Sequence, residues 1–70
     1  MKVSLDKTTV TLEFMTEQEM NDFLVGYPNI KMCLDKQFNV YSTKPKTLDF
    51  VLENEDHAIR EFIWWQAGCN

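Results

Sequence analysis

The sequence predicts an α+β fold: a small antiparallel sheet of about five strands with two helices, in the order ββα-βββα, the helices on one face. Three observations predict it. Residues 9–14, TVTLEF, alternate polar and apolar with many β-branched side chains, as in a strand with one covered and one wet face. Thr16-Glu17-Gln18-Glu19 follows at once with the Thr-x-x-Glu signature of a helix start. The segment TLEF at 11–14 then recurs as TLDF at 47–50, each time leading into an acidic stretch with Phe-Leu or Phe-Ile.

The first strand is expected over Val3–Asp6, with Val3 and Leu5 on one side and a turn at Asp6-Lys7-Thr8. The second runs over Thr9–Met15, with Val10, Leu12 and Phe14 inward. Thr16 caps the first helix, Glu19 completes the capping box, and Met15 and Met20 stand where a hydrophobic staple would close. Met20, Phe23, Leu24 and Tyr27 form its apolar stripe; Gly26 is suited to a left-handed cap, and Pro28 stops the helix. Alternation then predicts a third strand over Ile30–Asp35, with Ile30, Met32 and Leu34 inward, and a fourth over Phe38–Thr43. Lys44-Pro45-Lys46 turns the chain into a fifth strand, Thr47–Glu53, with Leu48, Phe50 and Leu52 on one side. Asn54 caps a second helix that runs to about Ala67 and ends at Gly68. Leu-Asp-Lys at 5–7 also recurs at 34–36, so the pattern fits a duplication or a coincidence of turn and strand signals.

Seventy residues make a single compact domain, 1–70, too small for a deep cleft between domains. Chains of this size fold alone only narrowly, and a disulfide, a metal or a partner often helps. The two cysteines, Cys33 and Cys69, form no Cys-x-x-Cys pair and are read as reduced thiols, with a Cys33–Cys69 bridge as the alternative. Five Phe, two Trp and two Tyr supply enough large side chains for a core, so a partner is an option and not a need. No secretory leader and no run of about 20 apolar residues is visible, which places the expectation in the cytoplasm, with no membrane contact.

Eleven acids against seven bases give a net charge of −4, which argues against direct nucleic-acid binding by counterion release. The charge is uneven. Glu13–Asp22 holds four acids and no base, Asp49–Glu61 five acids and one Arg, while Lys31–Lys46 holds four lysines and one Asp. Solvated helix faces explain the acids most simply. The functional alternative is a negative surface aimed at a basic site, built from Glu17, Glu19 and Asp22 with Asp49, Glu53, Glu55, Asp56 and Glu61. Lys31, Lys36, Lys44 and Lys46 with Tyr41 would suit an anionic ligand, but lysines on sheet edges also block aggregation, the plainer use.

Catalysis is not expected. His57 is the only histidine, neither cysteine shows an activating neighbour, and Cys33, Cys69 and His57 lack the close pairing of zinc ligands. Glu53-Asn54-Glu55-Asp56 lacks the glycine and spaced oxygens of a calcium loop, and two glycines exclude a glycine-rich phosphate loop. No cofactor or metal is therefore expected.

Trp64 and Trp65 are the sharpest feature. Neighbours on a helix point about 100° apart, so one core face rarely takes both. Ala58, Ile59, Phe62, Ile63 and Trp65 are expected to form the core stripe. Trp64 falls outside it, with His57, Arg60 and Glu61, either sheltering apolar atoms at the sheet edge or anchoring an interface. The functional expectation is a small acidic binding protein, an inhibitor or modulator of a larger host protein such as a nucleic-acid-handling or defence enzyme, acting by occlusion or charge mimicry. Accessory proteins of phages and mobile elements are of this size and charge. Two alternatives stand beside it: a self-associating module, such as a homodimer, whose oligomer takes a small anionic ligand, and an antitoxin- or immunity-like partner.

Overall fold

The two segments that repeat each other lie side by side at the centre of the sheet. The computed structural model describes residues 1–67 and places β1 at Lys2–Asp6, β2 at Thr9–Glu13 and β4 at Thr47–Val51, with β3 reduced to Val40–Tyr41. Helix α1 spans Glu17–Gly26, α2 Pro28–Lys36 and α3 Glu55–Ala67. The strands form one antiparallel sheet in the order β1-β2-β4-β3. The order along the chain is thus ββα-α-ββα, with four strands and three helices among the described residues, where about five and two were expected.

Register follows from the apolar alternation. Val10 faces Phe50 and Leu12 faces Leu48, so the inward residues of β2 and β4 share one face. Leu5 faces Val10 and Val3 faces Leu12, extending that face onto β1. Val10, Leu12 and Leu48 are fully buried there, joined by Phe14, Val40, Phe50, Leu24, Ala58 and Trp65. Met20 and Phe23 of α1, Ile30, Cys33 and Leu34 of α2, and Phe62 of α3 pack against the same cluster, so all three helices cover this one face.

Helix α1 starts at the expected cap, Thr16, but the return bond of the box goes to Met15 and not to the N–H of Thr16 itself. The Thr16 hydroxyl accepts the Glu19 N–H at 3.1 Å, and Glu19 Oε1 accepts the Met15 N–H at 3.1 Å. Glu19 also lies 3.7 Å from the N-terminal ammonium. Met15, however, is 79% exposed, so no staple closes on Met20. Nor is Gly26 a left-handed cap: it is the last helical residue, and Tyr27 caps the helix at φ −131°.

The largest departure is α2. Ile30–Asp35 is helical, not a strand, because Pro28 opens a new helix where its missing N–H costs nothing. Ile30, Cys33 and Leu34 are the half-buried positions, a three- and four-residue spacing that competes with the alternation of Ile30, Met32 and Leu34. Met32 is exposed, and Lys31 pairs with Asp35 one turn on at 3.2 Å. Gln37 ends the helix in the left-handed region at φ 55°, and Asn39 repeats that excursion at φ 63°. One of them precedes the expected strand Phe38–Thr43 and the other falls within it, leaving only Val40–Tyr41 paired and Phe38 64% exposed. The second Leu-Asp-Lys, at 34–36, lies in α2 and is no counterpart of the turn at 5–7.

Helix α3 begins at Asn54, whose side-chain oxygen accepts the His57 N–H at 2.9 Å. Its inner face is Ala58, Phe62 and Trp65. Ile59 and Ile63, expected in the core stripe, are 43% and 56% exposed: the helix is rotated so that Trp65 points straight at the sheet. Gly68 and Cys69, and with them the expected stop and the Cys33–Cys69 bridge, lie outside the described residues. No helix among the described residues is long and apolar enough to cross a membrane.

Two substitutions test this core. Trp65→Ala removes the most connected ring and should cost about 3–5 kcal/mol, enough to unfold a domain this small, read as lost cooperative melting. Gly26→Ala places a methyl group where nothing lies within 4 Å, at a backbone that needs no positive φ. It should raise stability by about 0.5–1 kcal/mol in urea denaturation, whereas a left-handed cap would give a loss.

Candidate functional site

Because all three helices among the described residues lie on one side, none of them covers the other face of the sheet. Its rows follow from the register. Ser4, Thr11, Asp49 and Tyr41 line up across the four strands; Asp6, Thr9 and Val51 form the row on one side, Lys2, Glu13 and Thr47 the row on the other. Thr43 and Lys44, from the loop between β3 and β4, help turn this face into a shallow concavity of about 490 Å³. Asp49 sits at its centre. One carboxylate oxygen accepts the Thr11 hydroxyl at 2.8 Å, the other the Thr43 hydroxyl at 3.0 Å. The face thus offers hydroxyls and carboxylates, held in place by one another. Among the described residues no group of His, Cys, Asp and Glu is arranged to hold a metal ion.

A second surface is the outer side of α3. Trp65 meets Phe23 at 5.3 Å, Tyr27 at 5.3 Å and Phe50 at 5.9 Å, so that flank of the helix faces α1 and the middle of the sheet. The Trp65 indole N–H donates to Glu61 Oε1 at 3.1 Å, so Glu61 serves the tryptophan and is only half exposed. Trp64 lies edge-on to Trp65 at 6.5 Å and is 57% exposed. His57, Arg60 and Trp64 follow one another along successive turns, all exposed, and His57 Nδ1 lies 3.8 Å from Glu53.

The remaining acids do not gather. Helix α1 starts where β2 ends and α3 starts where β4 ends, and those two strands are antiparallel. Glu17 therefore lies at one end of the sheet and Glu53, Glu55 and Asp56 at the other. Glu17 and Glu19, like Glu55 and Asp56, occupy first turns, where a carboxylate favours the helix dipole. Asp22 takes a hydrogen bond from Gln18 at 2.9 Å. Convergence, which charge mimicry needs, is absent between the two helices.

Sequence offers Asp49 only as one of the scattered acids, and does not single out the face around it. Its signal is the outward set of the repeat itself, Thr11 and Glu13 against Thr47 and Asp49, which meet only once β2 and β4 are known to be neighbours. No family model, curated protein or solved structure matches the chain.

Asp49→Ala leaves two hydroxyls without their shared acceptor and should lower stability by about 1–2 kcal/mol, seen as a shifted urea midpoint with unchanged slope. Equal stability of the variant would show that the three groups hold nothing together.

Proposed function

We propose that this chain is a binding protein, a modulator of a larger protein whose surface it occludes, with the His57, Arg60 and Trp64 side of α3 as its contact. One observation carries the reading: the Trp64 indole is more than half exposed beside a core that Trp65 already fills. A tryptophan so placed exposes a large apolar area, and exposed indoles of this kind serve as interface anchors because they bring area at low entropic cost. Arg60 alongside adds a planar donor set, the other side chain enriched at such anchors. Occlusion fits better than charge mimicry, since the acids of α1 and α3 start from opposite ends of the sheet. An inhibitor of a host enzyme, of the kind small accessory proteins provide, is the form of modulation this proposal favours.

The test compares wild type with Trp64→Ala and Trp64→Glu. Melting should change by the equivalent of less than about 1 kcal/mol, because the side chain is outside the core. Cross-linked partners identified from the source cell should bind at least about tenfold more weakly to either variant, with little dependence on salt. A melting loss of several kcal/mol would place Trp64 in the fold itself. Capture unaffected by Trp64→Glu, or abolished by salt, would move the contact elsewhere.

A further inference from the structure

The two edges of the sheet are treated differently. At one edge β3 pairs over two residues only, between Asn39 at φ 63° and a loop ending in Lys44-Pro45-Lys46. That edge is short, bent and charged, the usual protections against strand addition. At the other edge β1 pairs with β2 over all five of its residues, with no proline, no bulge and no inward charge. Among the described residues, Lys2–Asp6 make no hydrogen bond on their outer side. Five extended residues present about 17 Å of unpaired backbone.

We propose that β1 is a self-pairing edge: two copies of this chain join by antiparallel β1–β1 contact about a two-fold axis at Ser4. Such an axis must place like surfaces together, and β1 is built for it. Centred on Ser4, the pairing sets Lys2 against Asp6 of the second copy at both ends. Val3 meets Leu5 on the covered face, and the Ser4 hydroxyls meet on the open face. Lys2 then lies between Glu13 of its own β2 and the incoming Asp6, opposite charges on either side. A register shifted by one residue would set the apolar face against the polar one. Shifts by two keep the faces but shorten the overlap and separate the charges.

The helix layer supplies the second half of the seam. Helix α3 lies over β1 and β2, and its Trp65 flank faces α1. The opposite flank, reached through Phe62, carries Ile59 and Ile63, 43% and 56% exposed, on a helix that packs mainly on β1. Joined edges bring these isoleucines towards their own copies, so the strand contact gains an apolar layer above it. The contact uses a surface other than the Trp64 ridge, so each proposal stands or falls by itself.

Light scattering after gel filtration, in reducing buffer to exclude cysteine bridges, measures the mass of each variant. Wild type should have the mass of two chains. Lys2→Asp alone, Asp6→Lys alone and Ile63→Glu should each weaken the dimer about tenfold or more, moving the mass towards one chain. The double exchange, Lys2→Asp with Asp6→Lys, should restore it, and Trp64→Glu should leave it intact. Ile63 is exposed, so Ile63→Glu keeps the test valid if a strand variant fails to fold. A wild-type monomer at the highest soluble concentration overturns the proposal. So does a dimer that survives Ile63→Glu and both single exchanges, or a double exchange that folds but stays monomeric.

Discussion

Trp65 is the side chain on which the rest of the arrangement depends. It is 5% exposed and touches rings from α1 and β4 as well as its own helix, so one residue ties three elements together. Phe23 continues the cluster to Phe14 at 5.2 Å and to Tyr27 at 4.8 Å. Tilted and edge-on rings at these separations add to plain area burial, which matters in a domain with so few core residues. The one polar atom of the indole is satisfied by Glu61 four residues earlier, so burial leaves no donor orphaned. With Trp65 aimed at the sheet, the rotation of α3 is set. Its other large side chains are then distributed by helical geometry alone: Trp64 to one flank, Ile59 and Ile63 to the other.

That distribution explains how a chain with ample hydrophobic residues keeps so many outside. Two layers, one sheet and one row of helices, bury one face of the sheet and the inner stripe of each helix. The open face is mostly polar, with threonines and a carboxylate bound to one another around Asp49, and Val51 and Tyr41 as its exposed apolar members. The outer side of α3 need not be apolar for the fold, yet it carries two isoleucines and a tryptophan. Surface residues that the fold does not require, and that lower solubility, are the ones for which association gives a physical reason.

How far the sequence could be read depended on whether local signals agreed. Strands β1, β2 and β4 and the caps Thr16 and Asn54 were legible, since alternation, turn and cap each pointed the same way. Helix α2 was not. Ile30, Met32 and Leu34 satisfy a period of two while Ile30, Cys33 and Leu34 satisfy a helix, and nine residues are too few for periodicity to decide. Pro28 reads equally as a stop and as a first helical residue; only packing of Cys33 against the core chooses. Ile59 and Ile63 looked like core because apolar residues define a stripe by majority, whereas the single bulkiest ring decided the rotation. Of the candidate site, Trp64 was legible as the odd tryptophan, but the Asp49 face was not, because cross-strand pairs exist only once strand order is known.

The repeat that sequence could only suggest has a geometric meaning here. Superposing TLEF on TLDF sets Thr11 on Thr47, Leu12 on Leu48 and Phe14 on Phe50, and β2 pairs with β4 so that Leu12 faces Leu48 directly. Thr11 faces Asp49 just as Thr47 faces Glu13, so the same exchange relates both outer pairs. The centre of the sheet therefore obeys a local two-fold, each half being a hairpin followed by a helix. What breaks the symmetry is α2 and the left-handed residues beside it, which shorten β3 while β1 keeps its full length. A chain with two equal edges would be prone to add strands at both and to grow without limit. Blunting one and leaving the other open permits a single two-fold contact that closes on itself.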